Sequence, residues 1–281
     1  MSYANPESLV STNWVKDNLK NPNVRIVEVN VDPKVYDAGH VPGAISLSWV
    51  TQLQDQVARD IVGQSGFEQL LSDAGINPSD TVILYGDNNN WFAAYGYWLF
   101  KIYGHTDVRL MNGGRAKWLS EDDKQLTTDR PTFPHSTYKI TKIRPELRAK
   151  VPEVLEVTAT KRANLVDVRS VDEYTGKIIA PPGMTETAQR AGHVPGAKNI
   201  PWAQSVNPDG TFKSAEDLRT LYANAGVDFS KPAIAYCRIG ERSSHTWFVL
   251  RELLGVADVK NYDGSWTEYG NLIGAPIEKN V

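Results

Sequence analysis

The chain has 281 residues, a formal net charge of −3, and is 41% hydrophobic and 22% charged. This charge gives no overall positive field to attract nucleic acid, and no apolar run reaches the roughly 18 residues that a membrane span needs. A single cysteine excludes an internal disulfide, and five scattered histidines show no metal-ligand spacing. We therefore expect a cytoplasmic protein that binds no nucleic acid, membrane, metal or cofactor.

The predicted elements of the first half alternate between strand and helix. The β-branched run Val24–Val29 is typical of a strand. The segment Gly66–Ala74 has the pattern of a helix and is followed by Gly75, the usual residue at a helix C-terminus.

The second half repeats the first in the same order. The hexapeptide GHVPGA at 39–44 returns at 192–197, and residues 71–76 align with 222–227. Further matches follow in both halves, and such an ordered series indicates a duplicated domain. Because His40 and His193 occupy matching places in the two copies, we expect both to be structural.

The domain boundaries follow from a proline-containing segment between the two copies. Residues 129–147 include three prolines and have little helical periodicity, so they are predicted to form an extended linker. We expect an inactive first domain at 1–128 and a catalytic second domain at 148–281.

The second copy contains the same alternation of elements. Strands are predicted at Ala163–Val168 and Ala233–Tyr236, and a helix at Ala215–Ala225 before Gly226. A further helix is predicted to end at Gly255. The predicted fold class is therefore α/β, with two tandem domains that each contain a mainly parallel sheet flanked by helices.

The lone cysteine follows the predicted strand at 233–236 and begins the sequence CRIGERSS. Ligands of open α/β sheets bind at this carboxyl edge. Gly240 allows a tight turn that would direct backbone N–H groups inward, and Arg238 and Arg242 add positive charge. These features predict a thiolate at Cys237 with a pKa below the ordinary value of about 8.5.

The first copy has lost this chemistry. In the alignment of the repeats, Cys237 corresponds to Gly86 and Arg238 to Asp87, and the rest of the first loop is Asn88–Asn90. That loop has no nucleophile and no cation, so only the second domain is predicted to be catalytic.

Taken together, these motifs resemble the rhodaneses, the two-domain thiosulfate sulfurtransferases, over essentially the whole chain. The resemblance implies that Cys237 takes the outer sulfur of thiosulfate as a persulfide and passes it to cyanide or a thiol, in a ping-pong reaction without a cofactor. The motifs that carry the resemblance are Cys237–Ser244, both GHVPGA segments, Asp167–Arg169, and Tyr262–Trp266 with Glu268.

The same resemblance suggests which residues bind the donor. Arg238 and Arg242 are expected to bind the sulfonate, with Gly240 and Ser243 completing the loop. Animal members carry a basic substrate-binding residue where this chain has Glu173, so that contact is not carried over. Arg190 is the candidate that replaces it, and a structural role for Arg190 is the alternative.

Other functions remain open at this stage. A 3-mercaptopyruvate sulfurtransferase is the main alternative, although two arginines in the loop favour thiosulfate. A cysteine phosphatase would carry its arginine where this chain has Ser243, and Arg242 comes one residue early. A non-catalytic sulfur-binding or scaffold protein is the third alternative. We expect a monomer.

Overall fold

The computed structural model describes residues 2–184 and 187–280, which divide into two compact units. The N-terminal unit comprises residues 7–145 with 208–211. The C-terminal unit comprises the described residues of 2–6, 146–207 and 212–280.

The described residues of the N-terminal unit form a parallel sheet of five strands in the order β1-β5-β4-β2-β3. The strands are β1 (Leu9–Val10), β2 (Val24–Asn30), β3 (Ala44–Ser48), β4 (Thr81–Tyr85) and β5 (Val108–Met111). The helices are α1 (Thr12–Asp17), α2 (Pro33–Ala38), α3 (Gln64–Asp73), α4 (Trp91–Ile102) and α5 (Gly114–Leu119).

The described residues of the C-terminal unit form a parallel sheet of four strands in the order β7-β6-β8-β9. The strands are β6 (Asn164–Asp167), β7 (Lys198–Asn199), β8 (Ala233–Tyr236) and β9 (Val259–Tyr262). The helices are α6 (Val151–Thr160), α7 (Val171–Thr175), α8 (Ala215–Asn224), α9 (Glu241–Phe248), which continues into a π-helical turn, and α10 (Ser265–Tyr269).

These elements confirm the predicted α/β class. All strand pairs in both sheets are parallel, and helices flank each sheet. The central strands β4 and β8 are buried along almost their whole length, as expected for strands covered by helices on both faces. Gly75 and Gly226 follow α3 and α8 with φ of +67° and +81°, the left-handed conformation that ends a helix.

The duplication is visible in one buried polar contact that recurs in both units. The last residue of the central strand is a tyrosine, Tyr85 in β4 and Tyr236 in β8. The Val41 N–H donates to the Tyr85 hydroxyl at 3.0 Å, and the Val194 N–H donates to the Tyr236 hydroxyl at 3.1 Å. Each hydroxyl is also hydrogen-bonded to the acid of the neighbouring strand, Glu28 or Asp167.

The repeated histidines have matching structural surroundings. The His40 ring stacks on Tyr36 at a centroid distance of 3.7 Å, and the His193 ring stacks on Tyr174 at 3.6 Å. In both cases Nδ1 is hydrogen-bonded to the carbonyl of the same tyrosine. These rings hold the GHVPGA turns against the helices α2 and α7.

The sequence repeat does not indicate to which unit the N-terminal residues and the proline-containing segment belong. The N–H groups of Ala4 and Asn5 donate to carbonyls of the π-helical turn, which places the N-terminal residues in the C-terminal unit. The proline-containing segment 129–145 is extended and hydrogen-bonds to the N-terminal unit, for example through the Ser136 N–H to the Ser72 carbonyl at 3.0 Å. In the part of the chain that the structure describes, no helix has the length and apolarity of a membrane span.

The tyrosine contact leads to a stability prediction. Tyr85→Phe leaves the buried N–H of Val41 without its acceptor, so we expect the free energy of unfolding to fall by about 1–3 kcal/mol. Tyr236→Phe removes the same contact from the other unit and is expected to cost about as much. Urea denaturation followed by tryptophan fluorescence measures both, and wild-type stability in both variants would contradict this role.

Candidate active site

Cys237 lies at the carboxyl end of β8, directly before a tight turn that leads into α9. The turn depends on Gly240, which has φ of +101°, a conformation that other residues rarely adopt. A Cβ at this position would lie 2.9 Å from Cα and Cβ of Asp263, too close for any side chain. Both the backbone angle and the packing therefore require glycine at position 240.

Helix α10 holds the outer side of the loop. The Trp266 N–H donates to the Cys237 carbonyl at 3.0 Å, and the Thr267 N–H donates to the Arg238 carbonyl at 3.1 Å. The Cys237 N–H donates to Ser265 Oγ at 3.0 Å. Because these carbonyls are bound to α10, the loop leaves N–H donors on the side of the sulfur.

Strand β9 holds the beginning of α9 through Asn261. The Ser243 hydroxyl donates to Asn261 Oδ1 at 2.6 Å, and Asn261 Nδ2 donates to Ser244 Oγ at 2.8 Å. Asn261 Nδ2 also lies 3.2 Å from the Gly240 carbonyl. These buried bonds fix the first turn of α9 relative to β9.

The sulfur atom of Cys237 is fully buried, and both hydrogen-bond donors and a carboxylate contact it. The Gly240 N–H donates to Sγ at 3.2 Å. The thiol in turn donates to Glu241 Oε2, 3.3 Å away, and Ser265 Oγ lies at 3.9 Å. The Gly240 N–H donor and the Glu241 carboxylate therefore face the same sulfur.

The charge of Arg242 is shared between two carboxylates. Its Nη1 and Nη2 donate to the two carboxylate oxygens of Glu173 at 3.0 and 3.2 Å, and its Nε lies 3.5 Å from Glu241 Oε1. Glu173 is completely buried and closes the capping box of α7 with Ser170. The residue that departs from the family pattern therefore binds one of the loop arginines.

These contacts overturn the expectation of a lowered thiol pKa. Burial, followed by the negative charge of Glu241, raises the pKa of Cys237 above its ordinary value, and these effects outweigh Arg242 and the hydrogen bonds from Ser243, which lower it. The sequence showed the arginines beside the cysteine, but it did not show that Arg242 is neutralised by Glu173 and Glu241.

Arg238 points toward Met184, in the segment that follows α7. Its Nη2 lies 3.2 Å from Sδ of Met184, and its side chain is 5% exposed. Its carbonyl also accepts a hydrogen bond from the Thr267 hydroxyl at 2.5 Å. The Arg238 guanidinium therefore lies beside Met184, whereas Gly240, Ser243 and Arg242 lie close to the sulfur of Cys237.

Arg190 has different surroundings from the other predicted site residues. Its guanidinium donates to the carbonyls of Gly270 and Ala275 at 3.1 and 2.9 Å, and also to those of Tyr269 and Leu272. These carbonyls belong to the last residue of α10 and to the segment after it, so the contacts correspond to the structural alternative and give no support to a substrate contact. Of the residues described, no group of three His, Cys, Asp or Glu side chains could hold a metal ion.

The equivalent loop of the N-terminal unit makes the same backbone hydrogen bond, but it has no space for a side chain at Gly86. The Arg115 N–H donates to the Gly86 carbonyl at 3.1 Å, as Trp266 does to Cys237. A Cβ on Gly86 would lie 2.5 Å from the Val29 carbonyl oxygen. The Gly86 N–H donates to Oδ1 of Asn90 at 3.0 Å, so an amide side chain occupies this loop.

Sequence reasoning missed several residues of the site. Ser265 lies in a motif that carried the family resemblance, but no role was inferred for it. Asn261 gave no local signal, because it reaches the loop from another strand. Glu241 was visible inside the cysteine loop, and its buried position beside the sulfur is the contact that sequence spacing did not indicate.

The comparisons with known proteins agree with the duplication. The family model for the rhodanese-like domain matches twice, at residues 11–121 and 151–272. A protein of Saccharopolyspora erythraea named "Putative thiosulfate sulfurtransferase" is 57% identical over 97% of this chain and 96% of its own length. The sulfur carrier protein TtuD of Thermus thermophilus is 53% identical over 99% of both chains.

A solved structure supports the same fold. SseA from Escherichia coli, a 3-mercaptopyruvate sulfotransferase, superimposes with a TM-score of 0.81 and 25% identity, over 92% of this chain and 98% of its own.

The raised thiol pKa can be measured in the substrate-free protein. A group with a raised pKa is less ionised at a given pH, so we expect the ultraviolet absorbance of the Cys237 thiolate to appear with a midpoint above that of free cysteine. Subtracting the titration of Cys237→Ser removes the contribution of the tyrosines. A midpoint below that of free cysteine would contradict the contacts described for Glu241.

The contacts of Arg190 give a prediction that separates its two possible roles. Arg190→Ala removes the donors at the end of α10, so we expect the free energy of unfolding to fall by about 1–3 kcal/mol. The KM for thiosulfate should stay within about twofold of the wild-type value. Unchanged stability with a KM raised about tenfold or more would assign Arg190 to the substrate instead.

Proposed function

Because this chain belongs to the rhodanese family, we propose that it is a thiosulfate sulfurtransferase that carries sulfur on Cys237. In the first half-reaction, Cys237 attacks the outer sulfur of thiosulfate, and sulfite leaves. In the second half-reaction, cyanide or a thiol takes that sulfur from the Cys237 persulfide. The sequence is ping-pong, because the donor product leaves before the acceptor reacts.

One observation carries this proposal: a buried cysteine sulfur that accepts the Gly240 N–H at the N-terminus of α9. A persulfide places its outer sulfur one bond further from the β8 strand, where a negative charge is favoured by backbone N–H groups and by the helix dipole. The bonds from α10 to the Cys237 and Arg238 carbonyls keep those N–H groups in place before the donor arrives.

Arg238 is the main candidate for the sulfonate of the donor. Arg242 is bound on two sides by Glu173 and Glu241, so its charge is already balanced by carboxylates within the site. We infer that Arg238 binds the sulfonate directly and that Arg242 contributes through its charge. Ser243 and Gly240 complete the loop as hydrogen-bond donors.

A second candidate donor is 3-mercaptopyruvate. The loop has less free positive charge than its sequence suggests, because Glu173 and Glu241 neutralise Arg242. A donor with a single carboxylate needs less positive charge than thiosulfate, which is a dianion. The likeness to SseA is in keeping with this alternative, and direct comparison of the two donors decides between them.

The acceptor is a thiophilic group, either on a small molecule such as cyanide or on a protein. The relative in Thermus thermophilus is named a sulfur carrier, so a protein thiol is a natural candidate beside cyanide. A purely sulfur-binding or scaffold role is the remaining alternative. It would not require release of sulfur to an added acceptor. We further propose that the protein is a cytoplasmic monomer.

The proposed function predicts a complete dependence on Cys237. Thiosulfate should add about 32 Da, one sulfur atom, to the intact protein, and cyanide should remove it as thiocyanate. Cys237→Ser should show neither event. Arg238→Ala should still load sulfur but with a KM for thiosulfate raised about tenfold or more, because it loses a charged contact.

The control is the fold of each variant, measured by circular dichroism and thermal unfolding. Thiocyanate formation that is unchanged in Cys237→Ser would exclude the proposed mechanism. Loading from 3-mercaptopyruvate that is much faster than from thiosulfate would favour the second candidate. Loading without release to any acceptor would favour the sulfur-binding role.

A further inference from the structure

Glu241 is a buried carboxylate that contacts the reacting atom of the proposed site. Its side chain lies in the first turn of α9 and is 2% exposed. Oε2 is 3.3 Å from Sγ of Cys237 and accepts the thiol proton, and Oε1 is 3.5 Å from Nε of Arg242. A carboxylate in contact with a thiol opposes ionisation of the sulfur unless the carboxylate itself accepts the proton.

The surrounding charges are arranged in pairs. From α9 itself, Arg242 faces Glu241, and from α7, Glu173 binds the other side of Arg242. Behind Gly240, Asp263 is bound by Arg148 at 2.7 and 2.8 Å. From α10, only the hydroxyl of Ser265 reaches the sulfur among the residues described. Each of these carboxylates except Glu241 is bound bidentately by an arginine, and Glu241 alone among them touches the thiol.

We propose that Glu241 is a catalytic residue that accepts the proton of Cys237 when sulfur is transferred and returns it when sulfur is released. This inference rests on the proposed sulfurtransferase function and adds a named proton acceptor to it. In this arrangement the cysteine and the carboxylate share one proton as a pair, so the sulfur becomes nucleophilic without losing that proton to water.

The first half-reaction balances with this acceptor. The Cys237 thiol gives its proton to the Glu241 carboxylate, and Sγ forms a new S–S bond with the outer sulfur of thiosulfate. The S–S bond of thiosulfate breaks, and its electron pair leaves with sulfite. The products are the Cys237 persulfide anion, neutral Glu241 and sulfite, and the total charge is unchanged.

The second half-reaction reverses the proton transfer. Cyanide or a thiolate attacks the outer sulfur of the persulfide, and the S–S bond breaks with its electron pair on Sγ of Cys237. Glu241 then returns the proton to Sγ, which restores the thiol and the carboxylate. The raised pKa of Cys237 is in accord with this cycle, because the resting sulfur holds its proton.

The test is the pH dependence of sulfur loading in a single turnover, measured by rapid quench and intact mass. If the pair keeps one proton, the wild-type loading rate should change by less than about twofold between about pH 6 and about pH 8. In Glu241→Gln, the proton must go to water, so the rate should rise about tenfold per pH unit until the thiol titrates. A wild-type rate that rises about tenfold per unit would overturn the proposal without any variant.

Glu173→Gln is the matched control. It removes a buried carboxylate from the same arginine but does not contact Sγ, so its loading rate should keep the flat pH dependence, whatever its absolute value. A slope in Glu173→Gln equal to that in Glu241→Gln would show that charge around Arg242, and not a proton acceptor at Glu241, sets the profile. That result would overturn the proposal.

Alkylation with iodoacetamide separates this inference from the proposed function, because it needs the thiol but no sulfur donor. Suppose that thiosulfate adds no mass at any pH, that the alkylation rate of the wild type is independent of pH, and that the rate of Glu241→Gln rises with pH. The proposed function then fails, and the role of Glu241 as proton acceptor stands. Suppose instead that sulfur loads, but that the rates of loading and of alkylation rise equally with pH in the wild type and in Glu241→Gln. The proposed function then stands, and the role of Glu241 is rejected.

Discussion

Burial of the Cys237 sulfur between the Gly240 N–H donor and the Glu241 carboxylate is the constraint on which the proposed chemistry depends. The donor is available because Gly240 adopts a left-handed conformation and because α10 binds the outward carbonyls of the loop. Burial and, after it, the carboxylate of Glu241 raise the pKa of Cys237 and so favour a protonated sulfur. The site is therefore built around a proton as well as around an anion, and Arg242 balances the charge through Glu173 and Glu241.

The alternation of strands and helices was predictable because it depends on short-range sequence patterns, such as β-branched runs and the glycines that follow helices. The strand at 233–236 coincides with its predicted range, and Gly75 and Gly226 end their helices as expected. The place of Cys237 followed from the strand before it. The sign of its pKa shift was not predictable, because it depends on how deeply the sulfur is buried and on the contact that Glu241 makes with it. Neither quantity is encoded in the spacing of residues along the loop.

The two repeats show which parts of the site belong to the fold and which to the chemistry. The N–H bond from the last helix to the loop is present in both units, at Arg115 and at Trp266, as is the tyrosine at the end of the central strand. These contacts are therefore structural. Cys237, Glu241 and Arg242 have different residues at the matching positions of the first repeat, and they carry the proposed chemistry.

The close approach of Gly86 to Val29 also explains why the asymmetry between the repeats is hard to reverse. With 2.5 Å between a Cβ and the carbonyl oxygen, a nucleophile cannot return to this loop by exchange of one residue, since strand β2 would first have to move. Asn90 would also have to vacate the loop. A nucleophile at residue 86 would thus require concerted changes in a strand, in a loop side chain and at the residue itself, which no single substitution supplies.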